Sequence, residues 1–290
     1  MALVPFDDRD GVIWMDGKLV PWREARIHVL THALHYGSSV FDGARVYNGK
    51  VFKQRAHTER LLTSAKILGF TIPYTAEAVD EAITATLQAN GLKDGYVRPF
   101  AWRGSEVMGV SAKASTIHLA IACWSWPPYY GADARTKGIR MTWAPWARPA
   151  PHTAPTHAKA SGLYMIGTIN KHHAEDLGCS DALMVDWRGR IAEATSANFF
   201  MVQDGVLHTP TAECILNGIT RQTVMALAEA KGIRVLEREI WPPEVQLADE
   251  VFLTGSAAEI TPVGQIGAWM FTPGPITRVL TEAYEAVTRA

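Results

Sequence analysis

The chain has 290 residues, 48% hydrophobic and 20% charged, a mixture that suits a globular protein long enough for two cores. Its 28 Lys and Arg almost balance 29 Asp and Glu, which excludes the strongly basic surface of a nucleic-acid binder or a polybasic membrane binder. No apolar run reaches the roughly 18–20 residues that span a bilayer. Residues 1–10 show no basic stretch leading into an apolar one, so no secretory signal is expected. Cys123, Cys179 and Cys214 are odd in number and lack CxxC spacing, which predicts free thiols in a reducing compartment, by default the cytoplasm.

In chain order, Asp16-Gly17 is the first tight-turn signal, set between GVIWM and KLVPW. Asn48-Gly49 is the second, between ARVY and KVFK. Residues 57–69 place Leu61, Leu62, Ala65 and Leu68 on one helical face, and 75–91 read as a helix from a Thr cap to a Gly. The stretch 124–136, with Pro127, Pro128 and Gly131, reads as a linker. Helices are predicted over 164–178 and 220–232, each ending at a glycine, and a last one after Pro275. DALMVD and IAEAT flank a turn at Trp187-Arg188-Gly189, and Asp204-Gly205 marks a third tight hairpin. The order of strands and helices is mixed, without βαβ alternation, which predicts an α+β protein. The expected organisation is a smaller N-terminal domain over 1–123, a linker over 124–136 and a larger C-terminal domain over 137–290.

Several groups of residues have chemical potential. His28, His32 and His35 fall at i, i+4 and i+7, but no HEXXH motif or nearby Cys or acidic cluster supports a metal site, and none is expected. Asn217-Gly218-Ile219-Thr220-Arg221 precedes an amphipathic stretch, and a helix start there offers N–H groups to an anion. Thr254-Gly255-Ser256-Ala257-Ala258 offers more small-residue donors. Neither matches a P-loop or a dinucleotide fingerprint, so nucleotide binding is not favoured. Lys159 sits alone among small and apolar neighbours. A desolvated lysine there gains nucleophilic character, because each unit of pKa depression raises its neutral fraction about tenfold. Glu193 lies in IAEATSANFF, where an inward carboxylate needs a cationic or proton-donating partner.

Seven ordered segments carry a resemblance: HALHYGSSVFDGARVY (32–47), HTERLLTSAKIL (57–68), YVRPF (96–100), APTHAKASGLY (154–164), GRIAEATSANFF (189–200), LNGITRQTV (216–224) and ADEVFLTGSAAEITPV (248–263). Together they resemble the fold-type IV pyridoxal-phosphate enzymes, most closely the branched-chain amino acid aminotransferases. The resemblance implies a two-domain α+β fold with pyridoxal 5′-phosphate between the domains. Lys159 would condense with the cofactor aldehyde and serve as acid and base in the proton shift. Glu193 would hold the protonated pyridine nitrogen and Tyr164 the phenolic oxygen. Arg60, Ile219, Thr220 and Ser256 would form the phosphate cup.

On the substrate side, the resemblance makes Tyr36, Phe41, Tyr96, Trp126 and Tyr129 the walls of an apolar pocket. Arg98, Tyr96 and the backbone of Gly255 and Ala257 become its carboxylate end. Residues 105–110 resemble a loop that reaches the neighbouring subunit's site, so a homodimer or larger homo-oligomer is implied. The implied reaction is ping-pong transfer of an amino group from a branched-chain L-amino acid to 2-oxoglutarate. Alternatives on the same scaffold are a D-amino acid or (R)-amine transaminase, or an aminodeoxychorismate lyase. Three positions depart from the usual pattern: Asp42 stands where Glu is common, Leu163 where Asn is typical, and Arg103 where an apolar residue is ordinary. Arg103 has two readings, a residue that widens the substrate range or a solvated surface charge.

Overall fold

The computed structural model describes residues 4–127, 130 and 133–290. The chain divides into two compact units, one of residues 1–127 with 158–162 and one of 128–157 with 163–290. Strands and helices are mixed in each unit.

The first unit contains β1 (Val12–Met15), β2 (Lys18–Pro21), α1 (His32–Tyr36), β3 (Ser39–Phe41), β4 (Ala44–Tyr47) and β5 (Lys50–Val51). It continues with α2 (Gln54–Ile67), α3 (Ala76–Ala89), β6 (Gly95–Arg103) and β7 (Ile117–Trp124). Its sheet runs β2-β1-β7-β6-β4-β5, with β3 also on β6. Two tight hairpins open it. Asp16 and Asn48 take φ of 48° and 50°, and the following glycines are also positive, as two-residue turns between twisted strands require. The Thr75 hydroxyl accepts from the Ala78 N–H and caps α3. Leu61 and Ala65 of α2 and Val79, Ile83 and Leu87 of α3 are buried with Val46, Val97, Leu119 and Ile121 of the sheet, forming this unit's core. Helix α2 begins at Gln54, before the predicted 57, because Lys53 takes a left-handed turn (φ 50°) that starts the helix directly after the hairpin.

The second unit contains α4 (Ala134–Lys137), β8 (Ile139–Trp143), α5 (Tyr164–Asp176), β9 (Asp181–Val185), β10 (Ile191–Ala194), β11 (Asn198–Gln203) and β12 (Val206–Pro210). Then come α6 (Ile219–Ala230), β13 (Val235–Arg238), α7 (Pro242–Val245), β14 (Glu250–Gly255), β15 (Glu259–Ile266), β16 (Trp269–Met270) and α8 (Pro275–Thr288). The sheet runs β10-β9-β8-β15-β14-β11-β12-β13, and an extra pairing joins β10 to β11. That pairing closes β10, β9, β8, β15, β14 and β11 into a ring around Leu183, Phe199, Met201, Leu253 and Val263. The strand signals in the sequence point to antiparallel pairs, but β8 lies parallel to both β9 and β15, and β12 parallel to β13. Parallel neighbours need long crossovers, and α5 and α6 lie in two of them. Gly178 and Gly232 end α5 and α6 in left-handed conformations (φ 68° and 75°). The buried Glu250 caps α8, its two oxygens accepting from Ile276 N–H (3.1 Å) and Thr277 N–H (2.7 Å). Among the described residues no helix is long and apolar enough to cross a membrane.

Candidate active site

In the first unit, the segment 158–162 packs against β3 and α2. The Lys159 N–H donates to Ser64 Oγ (2.9 Å), its carbonyl accepts from Phe41 N–H (3.1 Å), and Ala160 bridges to Val40. Backbone contacts on both sides therefore fix where the Lys159 side chain starts. Its amine lies 4.9 Å from the centre of the Phe41 ring. Burial and the Arg60 guanidinium push its pKa down to about 8; Arg98 adds to this, while Asp42 and Tyr96 oppose it. At pH 7 that leaves about one amine in ten neutral, where an unperturbed lysine has a few in ten thousand.

Arg60 is itself held. Its Nε and Nη2 donate to the two oxygens of Asp42 at 2.7 and 2.8 Å, a bidentate fork. Asp42 is fully buried, and His57 Nδ1 lies 2.7 Å from one of its oxygens. Burial alone would raise the Asp42 pKa, but Arg60 and then His57 outweigh it, and the carboxyl sits far below the usual range. Burial pushes the His57 pKa down against the pull of Asp42. Tyr96 is 5% exposed, meets Trp126 edge-on (4.7 Å) and lies against Gly43, where a Cβ would fall 1.8 Å from its hydroxyl. Arg98 stands over Phe41 (4.7 Å) and Tyr96 (5.3 Å). Thus Phe41, Tyr96, Arg98 and Trp126 form one aromatic and cationic group, with Lys159 at Phe41. Tyr36 is not part of it: it is exposed and stacks on His32 (4.6 Å). Tyr129 lies outside the described residues.

In the second unit, Glu193 and Asn198 form the pair that joins β10 to β11 and closes the ring. Glu193 is 8% exposed. One of its oxygens lies 3.2 Å from Arg148 Nε, and the other accepts from Asn198 Nδ2 at 3.2 Å. The same amide donates to the Leu216 carbonyl (3.0 Å). Asn198 thereby ties the carboxylate to the turn that starts α6. There, a Cβ on Gly218 would lie 2.1 Å from Asn198 Oδ1, so only glycine fits. No side chain caps α6, leaving the N–H groups of its first turn, at Ile219 and Thr220, for another acceptor. Thr220 is buried. Gly255, Ser256 and Ala257 are half-buried in the turn from β14 to β15, and Tyr164 opens α5.

Of the three histidines at helical spacing, His32 and His35 lie in α1 and His28 does not, and each has a separate partner. His28 precedes α1 and accepts from the Leu30 N–H, His35 contacts the Val29 carbonyl, and His32 bridges Ser38 and Gly109. Arg103 is not a solvated charge, because it donates to three carbonyls.

The amino-transferase class IV family matches residues 39–266. The chain belongs to this family. It is 41% identical over 284 residues to the branched-chain-amino-acid aminotransferase of Pseudomonas aeruginosa, covering 96% of this chain and 92% of that one. The corresponding protein of Escherichia coli K12 is 38% identical over 281 residues, covering 94% and 91%. A crystal structure of the E. coli branched-chain amino acid aminotransferase superposes with a TM-score of 0.94 at 37% identity, over 97% of this chain and 95% of that one. A T.th. branched-chain amino acid aminotransferase, solved with pyridoxamine 5′-phosphate, also scores 0.94 at 37% identity, over 97% and 96%.

Three residues that hold these groups in place, Asp42, Arg148 and Asn198, are less visible in the sequence. Asp42 stands there only as a departure from Glu, although a charged residue in an otherwise apolar strand–turn segment already calls for a buried partner. Arg148 lies outside the matched segments. Asn198 is a polar residue at the start of the apolar strand ANFFMV, which is its one available signal.

Proposed function

We propose that this class IV aminotransferase is a branched-chain-amino-acid aminotransferase. It uses pyridoxal 5′-phosphate to move the amino group of branched-chain L-amino acids to 2-oxoglutarate. The observation that carries the reading is the Lys159 amine, held at about 8 beside Arg60. The donor set suits the cofactor. An uncapped helix start with the buried Thr220 suits a phosphate, and a buried Thr254 hydroxyl lacks a partner among the described residues. A buried carboxylate, Glu193, suits a protonated pyridine nitrogen.

In this reading Lys159 holds the aldehyde end, Glu193 the ring nitrogen and Tyr164 the ring oxygen. Arg60, Ile219, Thr220 and Ser256 hold the phosphate. When bound, the cofactor supplies an electron-withdrawing ring that stabilises negative charge at the substrate's α-carbon. In this reading the neutral Lys159 amine would take the proton from that carbon and deliver it at the aldehyde end of the cofactor, work for which a pKa close to the operating pH is suited. Arg148 and Asn198 keep the Glu193 carboxylate oriented. Asp42 holds Arg60 in place and limits how far its charge depresses Lys159. Phe41, Tyr96 and Trp126 wall the side-chain pocket, and Arg98 with Gly255 and Ala257 receives the carboxylate. The protein works in the cytoplasm as a homodimer or larger homo-oligomer. Its free cysteines support the first, and the exposed Leu34 (61%) and Val110 (87%) support the second.

A spectral titration of the cofactor-loaded protein tests the reading. L-leucine and L-valine are expected to shift the cofactor absorbance, and 2-oxoglutarate to restore it. A response to D-alanine or an (R)-amine with none to L-leucine would overturn it. So would pyruvate release from aminodeoxychorismate without an acceptor.

A further inference from the structure

Strands β6 and β7 pair antiparallel up to Arg103 and Ile117, yet residues 104–116 separate them. Two residues suffice for a hairpin, and connections this long inside a compact unit are uncommon unless they carry a function. The neck of the loop is closed by Gly104 N–H donating to Thr116 O (2.8 Å) and by Glu106 Oε2 accepting from Thr116 N–H (3.0 Å). On the outgoing leg, His32 Nε2 lies 2.8 Å from the Gly109 carbonyl. A carbonyl only accepts, so Nε2 carries the proton there and Nδ1 accepts from Ser38 Oγ (2.6 Å). The returning leg is held by Arg103. Its Nη1 donates to Ala112 O (3.2 Å), while Nη2 donates to Leu68 O (3.2 Å) and Gly69 O (3.0 Å) at the end of α2. The Phe70 ring lies under the guanidinium at 5.1 Å. Met108 and Val110 stand exposed on either side of the stapled Gly109, while Ala112 is buried.

The geometry points to Arg103 as a positioning residue that fixes the 104–116 loop to α2 and so sets the height of its apolar tip, Met108 to Val110. A cation at the end of α2 satisfies carbonyls that have no partner within the helix, and it interacts favourably with the helix dipole. The planar fork of an arginine reaches α2 and the loop together, whereas an apolar side chain reaches neither carbonyl and a lysine presents a single point charge. The link to catalysis rests on the homo-oligomeric aminotransferase proposed above, with residues 105–110 taken as the loop that resembles one reaching the neighbouring subunit's site. Arg103 then governs substrate fit and leaves the chemical step alone.

The test uses the cofactor-loaded protein as wild type, Arg103→Ala and Arg103→Lys. Hydrogen exchange of amides 107–115 is expected to quicken roughly tenfold or more in Arg103→Ala and to fall in between in Arg103→Lys. The KM for L-leucine is expected to rise about fivefold in Arg103→Ala with kcat within about twofold, and to recover in part in Arg103→Lys. Loop exchange at the wild-type rate in Arg103→Ala would overturn the staple. Faster exchange with an unchanged KM would overturn the positioning role. Wild-type protein silent to L-leucine would instead count against the proposed function, and the exchange rates would still decide the staple.

Discussion

A guanidinium beside an amine in a buried place repels it, and at Lys159 the repulsion is tempered by Asp42. The Asp42 carboxylate accepts both forks of Arg60 and stands next to His57, so one side chain balances two potential cations and a third through space. Asp42→Asn keeps the shape and removes the charge. Arg60 then faces Lys159 unneutralised, and the lysine's pKa falls below about 8. The check is the pH dependence of Lys159 acylation by an amine-directed reagent in cofactor-free protein, read by mass spectrometry. The wild-type midpoint is expected near 8 and the mutant midpoint lower; a midpoint that stays or rises contradicts this account. Stability moves as well. Leaving Arg60 and His57 without their buried partner costs about 3 kcal/mol. Because the Asp42 pKa is depressed in the folded chain, its stabilisation is present above roughly pH 4 and is lost as pH falls below that. The mutant therefore loses stability at neutral pH and much less in acid. Lys159 acts in the same sense, in a higher pH range. Between about pH 8 and its unfolded value near 10.4, the unfolded chain binds more of its proton, so stability from this group rises with pH.

At the start of α6, one glycine governs three groups. Asn198 occupies the space a Gly218 side chain would take, and its amide holds both Glu193 and the Leu216 carbonyl. Gly218→Ala drives a methyl into that amide, disturbing the carboxylate and the first-turn N–H groups together. Pyridoxal 5′-phosphate affinity, read by absorbance titration, is expected to drop by roughly tenfold or more. Unchanged affinity would show that Asn198 can move without consequence. This arrangement also marks the limit of what the sequence discloses. The hairpins at Asp16-Gly17, Asn48-Gly49 and Asp204-Gly205 were legible because their turn chemistry is local, and the helix ends at Gly178 and Gly232 for the same reason. The roles proposed for Lys159 and Glu193 come from ordered motifs. Partners were not. Asp42 and Arg60 are 18 positions apart on different elements, and only the packing of α2 on the sheet brings them together. Arg148 meets Glu193 because β8 lies parallel to β9, a pairing that no turn residue announces.

For the whole chain, cofactor occupancy and folding are one equilibrium. A ligand that binds only the native chain stabilises it by about 2.7 kcal/mol at a hundredfold excess over its Kd. In a chain this long, that corresponds to a rise of roughly 5–10 °C in the melting midpoint. Two ligands separate the two ends of the proposed site. Pyridoxal presents the aldehyde without the phosphate, so its stabilisation depends on Lys159 and little on the start of α6. Pyridoxal 5′-phosphate depends on both. Lys159→Ala is therefore expected to abolish the melting shift with pyridoxal and to retain part of the shift with pyridoxal 5′-phosphate, which the N–H groups of Ile219 and Thr220 still hold. Gly218→Ala should give the reverse pattern, with the phosphate advantage lost and part of the pyridoxal shift kept. Differential scanning fluorimetry of the three proteins with each ligand checks this directly. If Lys159→Ala matched wild type with pyridoxal, the amine would not be the group that receives the aldehyde.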